Sequence, residues 1–214
     1  MDMIKRSLNN PQAFLRTEEI SGGPFYGCEQ EWYETDWQKR SGCGPTTACN
    51  LLYYLQRAKA AKDPGLLPLT KEFGLKRMQE SWEYVTPTEM GVYSTKLFKD
   101  GLVDYARNNG LKGTCHVIDK HQAAETGDYF KTVIQFIETA LVNDSPVAFL
   151  NLCNGEVNNL DKWHWVTILV LEYDAAGTMA YVDIMDEGHI KKIDLKLWCK
   201  TTTLGGGFVY LEVI

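Results

Sequence analysis

The sequence is poor in histidine, with four, and has no apolar run longer than a strand. A membrane-spanning helix needs about 18 or more consecutive apolar residues, so no membrane contact is expected. Pro11, Gln12 and Arg16 interrupt the stretch after Met1–Ser7, so no signal peptide is read and a cytoplasmic location is expected. Basic clusters are lacking too. The net charge is −6 with the acids spread along the chain, which is not the footprint of a nucleic-acid binder. The six cysteines, at 28, 43, 49, 115, 153 and 199, form no CxxC pair. Their irregular spacing speaks for reduced thiols rather than a disulfide framework. Cys115 and His116 are adjacent, and two adjacent ligands do not close a tetrahedral site, so no metal or cofactor is expected.

What is present is an ordinary globular composition, 214 residues with 44% apolar and 23% charged. That length suits one domain. Repeats, low-complexity segments and long linkers are missing. Residues 1–36 read as an irregular arm, with Gly22, Gly23, Pro24 and Gly27 among aromatics. Residues 37–145 read as a mainly helical half. Helical spacing of Ala48, Leu51, Leu52 and Leu55 predicts a helix from Cys43 to about Gln56. Pro64, Gly65 and Pro68 mark a loop, and further helices are expected near 70–81, 94–109 and 128–142. Thr86-Pro87-Thr88-Glu89 reads as a helix start, and Gly110 as a stop. Residues 146–214 read as a mainly β half, with strands at 146–152, 163–173, 178–186 and 208–213, and a strand or short helix within 189–200. Asp174-Ala175-Ala176-Gly177 is turn chemistry. Helices first and an antiparallel sheet second give an α+β fold.

Cys43 stands in Ser41-Gly42-Cys43-Gly44-Pro45-Thr46, which opens the first helix; Pro is favoured in a first turn. Free N–H groups and the positive end of the helix dipole favour a thiolate there. Small neighbours leave room for a substrate carbonyl, and the Cys43 N–H is placed to serve an oxyanion. Gln38, just upstream, is a second candidate donor. The other five cysteines read as buried core thiols. Among the histidines, His116 and His121 fall in a polar stretch between helices and His189 at a turn. His164 opens the apolar strand Trp163-His164-Trp165-Val166 after a Gly/Asn-rich loop. A base at a strand mouth is rigid yet reaches solvent, and cysteine with histidine is the pairing for acyl transfer.

These residues together, Gln38, Gly42-Cys43-Gly44-Pro45-Thr46 and Trp163-His164-Trp165-Val166, resemble the papain-like bacteriocin-processing (double-glycine) peptidases and their stand-alone relatives. Gln38 stands one residue closer to the cysteine than in that pattern. The resemblance implies a papain-like fold, a Cys–His–Asp/Asn triad, an oxyanion Gln, and a peptide or protein substrate. For the third member, Asp183 and Asp186 both lie on the return strand. Pairing Tyr173 with Thr178 across the turn sets His164 opposite Glu187, which favours Asp186; a β-bulge would change that count. The expected activity is thiol-dependent cleavage of a peptide or isopeptide bond. Acyl transfer on the same groups, or a catalytically silent peptide-binding module, are the alternatives. Specificity is expected in the loops of 1–36, 64–96 and 151–162.

Overall fold

The computed structural model describes residues 3–16, 24–59, 69–120 and 127–214. The chain runs β1 (Met3–Ser7), 3-10 turns at Pro11–Phe14 and Gln30–Trp32, α1 (Asp36–Ser41), α2 (Cys43–Lys59), α3 (Lys71–Tyr84) and α4 (Thr95–Asn108). It continues with β2 (Gly113–Lys120), α5 (Gly127–Val142), β3 (Val147–Asn151), β4 (His164–Asp174), β5 (Ala180–Asp186), β6 (His189–Asp194), α6 (Leu195–Thr201) and β7 (Gly206–Val213). The expected loop at 64–68, Gly22, Gly23 and His121 lie outside the described residues.

Local chemistry explains most boundaries. Thr70, Ser94 and Asp194 each accept an N–H from the first turn of the helix they cap. Gly110, at φ +72°, closes the end of α4. Three readings need correction. Thr86–Glu89 starts no helix: Thr86 Oγ1 donates to Trp82 O and finishes α3, and Thr88 and Gly91 then close a turn on each other. The stretch around His116 is an edge strand, β2, whose half-exposed alternation is too weak to stand out. Part of the supposed arm is β1, and Thr35 caps an unforeseen helix, α1.

The strands form one antiparallel sheet in the order β2-β7-β3-β4-β5-β6, and β1 joins the far half of β4. Its two faces feed two cores. On β3, Val147 and Phe149 pack with α5 and Trp198 of α6, while Ala148 and Leu150 pack with α4 and the apolar side of α2. Among the described residues no helix is long and apolar enough to cross a membrane.

The β4–β5 register differs from the expected one. Tyr173 lies opposite Ala180, because Asp174 accepts the N–H groups of Thr178 and Met179 and lengthens the turn. A bulge between Ile168 and Val170 then takes back one residue, leaving Thr167 opposite Met185.

Candidate active site

The helical path breaks at Gly42 and restarts at Cys43. Cys43 and Gly44 are therefore the first residues of α2, where N–H groups have no intrahelical acceptor. Gly42 and Gly44 serve packing more than access. A Cβ on Gly42 would lie 2.5 Å from Gln38 O and the Tyr33 ring, and one on Gly44 would lie 2.7 Å from Val92. The room expected for a substrate on either side of Cys43 is filled by the protein itself. Ser81 Oγ donates to Pro45 O at 2.8 Å and ties α3 to this first turn.

His164 is the first residue of β4, and its imidazole has two neighbours. Nε2 lies 2.8 Å from Asp186 Oδ1, and the Cys43 side chain borders the same small cavity and acts on the charge of the ring. Burial works against a charged ring, yet Asp186 and Cys43 outweigh it and push His164 up to about 10. Burial likewise raises the Asp186 carboxyl, but the bonds and charges of His164 and Lys191 override it and leave it below the usual carboxylate range. Asp186 ends β5 because Glu187 (φ +48°) and Gly188 (φ +79°) make a two-residue hairpin turn to β6.

Cys43, His164 and Asp186 are thus brought together; Asp183 and Gln38 are not. Asp183 lies opposite Val170, six positions along β4 from His164 and roughly 20 Å away. Gln38 borders neither cavity at Cys43, and its Oε1 accepts from Thr35 Oγ1 at 3.1 Å.

Two spaces meet at Cys43. One is a cleft of about 450 Å³. Leu150, Trp165 and Val92 form its buried floor, and Trp37, Met90, Tyr93 and Trp163 leave large apolar surfaces exposed along it. The floor is fixed: Trp165 stacks on Phe98 at 4.1 Å and donates its Nε1–H to Val92 O at 2.6 Å. The other is a small polar cavity of about 20 Å³ bordered by Cys43, Thr46, Asn50, His164 and Asp186.

Sequence reasoning missed Lys191, Asn151 and the backbone conformation of Trp163. Lys191 reaches Asp186 Oδ2 at 2.7 Å. Asn151, fully buried opposite His164, accepts from Trp198 Nε1 at 2.7 Å and donates to Asp161 O at 2.5 Å, pinning the loop that delivers β4. Trp163 holds φ +54°, a left-handed backbone that is costly for a large side chain. No local pattern marks them, except the Lys at the fifth position after Asp186 across a tight hairpin. Asp161, Asp186 and Glu187 bring three carboxylates close together, but Asp186 spends both oxygens on His164 and Lys191.

The cysteines also sort differently from expectation. Cys28 and Cys49 are buried with sulfurs 3.8 Å apart. Burial pushes Cys115 and Cys199 up to about 12. Cys153 is no core thiol: it is half-exposed, and the Thr203 hydroxyl, 3.2 Å away, and nearby N–H groups bring it down to about 7.

No protein-family model matches the chain. No curated protein matches it by sequence. Among solved structures, UfSP from C. elegans aligns with 99% of this chain and 34% of its own, at a TM-score of 0.55 and 11% identity. The fold is shared with that structure. It is α+β, with helices on an antiparallel sheet. At that identity the likeness is one of fold, and this chain spans about a third of that structure. Within this fold, the start of α2 and the start of β4 border one cavity, and they carry Cys43 and His164.

Proposed function

We propose that this chain is a cysteine peptidase that cleaves a peptide or isopeptide bond, with Cys43 as nucleophile, His164 as base and Asp186 as its orienting acid. The observation that carries the reading is one imidazole bonded through Nε2 to a buried carboxylate, with Cys43 on the same small cavity. The fold likeness to UfSP, a cysteine protease, supports the same class.

In this reading His164 takes the Cys43 proton, and the resulting imidazolium is stabilised by Asp186. The sulfur attacks the carbonyl carbon, and its π electrons move to the oxygen. The free N–H groups at the start of α2 face that oxyanion; the backbone carries this role without Gln38. Collapse expels the amine, which leaves with the proton from His164, and a thioester remains on Cys43. Water then attacks the thioester, His164 accepts its proton, and collapse returns the carboxylic acid and the thiol. The aromatic cleft beside Cys43 suits an extended peptide with a large apolar side chain near the scissile bond.

A peptide-library cleavage screen of wild type against Cys43→Ala tests the reading. Cleavage that persists in Cys43→Ala, or none in either protein, defeats it. Thiol alkylation across pH is the companion test, and it belongs in a Cys153→Ser background because Cys153 is a second reactive thiol. Selective labelling of Cys43 below neutral pH, lost in His164→Ala, is the expected result.

A further inference from the structure

The carboxylate of Asp186 is almost wholly buried, so neither oxygen can rely on water. His164 satisfies Oδ1 at 2.8 Å. The partner of Oδ2 is an ammonium, Lys191 Nζ, at 2.7 Å. Lys191 has other acids within range. Glu187 is 3.9 Å away and exposed, and Asp161, also exposed, adds its charge from the loop before β4. Both can turn to water, whereas Asp186 cannot. From the N-terminal side, Arg16 and Glu29 pair with each other at 2.8 Å beside Gly188, so they do not compete. The stem of Lys191 is held by the sheet, since its backbone lies opposite Ile184 in the β5–β6 ladder.

We propose that Lys191 is a positioning residue for the acid: it holds Oδ2 of Asp186 so that Oδ1 stays aimed at His164. This rests on reading Cys43, His164 and Asp186 as the reacting set. A carboxylate with one tethered oxygen can turn about its Cβ–Cγ bond; a second tether, from another strand, fixes its plane. Lys191 also keeps the buried carboxyl ionised when His164 passes its proton to the leaving amine. In that neutral-imidazole state Lys191 is the remaining charge compensation for Asp186.

The test compares Lys191→Met, which keeps the stem and removes the charge, with Lys191→Arg, which keeps the charge. Steady-state cleavage gives kcat and KM. Carbon-13 NMR of the Asp186 carboxyl follows its protonation without any substrate. In Lys191→Met, kcat is expected to fall roughly tenfold with KM within about twofold, and the Asp186 midpoint to rise by about one pH unit. Lys191→Arg is expected to restore both. A Lys191→Met protein with wild-type kcat and an unmoved Asp186 midpoint overturns the proposal. So does a lower melting temperature with that midpoint unmoved, since it marks Lys191 as merely structural. If Lys191→Met does not fold, Lys191→Gln carries the same comparison. Absence of Cys43-dependent cleavage in wild type would sink the peptidase reading, while the carboxyl titration would still report on Lys191.

Discussion

The two sides of Cys43 are built on opposite principles. On the polar side, Asp186 is buried beside a largely covered His164, and both oxygens of the acid are engaged. On the apolar side, Trp37, Met90, Tyr93 and Trp163 leave large surfaces exposed, and Trp163 holds a left-handed backbone to do so. A monomer gains nothing by exposing four large apolar side chains around one cleft. In the proposed reading, the polar side holds a proton in place and the apolar side receives the substrate. Variants on the polar side should therefore alter kcat, and variants on the apolar side KM.

The largest effects belong to the polar side. Cys43→Ala or His164→Ala is expected to lower turnover about a thousandfold or more with the fold intact by circular dichroism. Asp186→Ala is expected to cost roughly a hundredfold in kcat, because the imidazole loses both its orientation and its charge partner. A comparable rise in KM instead would merge the two sides and break the comparison.

Trp163→Gly separates them most sharply. Glycine accepts φ +54° freely, so removing the indole should raise stability by about 1 kcal/mol in urea unfolding. The same change should raise KM about tenfold and leave kcat within a few-fold, if the ring contacts substrate. Lower stability with unchanged KM would make Trp163 a packing residue.

The smallest effect is a pH dependence of stability. His164 is held above its ordinary value, at about 10 against 6.5. A raised folded value means that the native state keeps its proton longer than the unfolded chain. The stabilisation is complete below about pH 6.5 and is lost as pH rises toward about 10. Urea midpoints measured across that range should fall, and the fall should be smaller in His164→Ala.

Much of this was legible from local pattern. The glycine-flanked cysteine at a helix start, the apolar strand opening with His164, and the helices at 70–81, 94–109 and 128–142 all have short-range signatures. What escaped has none. β1 and β2 are recognisable only from the strands they pair with. Asn151 and Trp198 matter because 47 residues of chain separate two ends of one hydrogen bond. Gly44 reads as access from sequence, and as packing once Val92 is known to lie against it.

The choice between Asp183 and Asp186 marks where sequence stops. The chain by itself determined the α+β order, the candidate pair of Cys43 and His164, and a hairpin carrying two acids. A count across the simplest turn favours Asp186 but sets it opposite Trp165, with its side chain on the other face from His164. The folded register decides otherwise. A longer turn adds two residues, and the bulge between Ile168 and Val170 removes one. Continued to the strand ends, that net shift of one aligns Asp186 with Val166, which shares its face with His164, and the two side chains meet at 2.8 Å. Because strand side chains alternate with period two, a one-residue slip changes the face of every group. That parity depends on the turn and on the bulge, and tertiary pairing sets both.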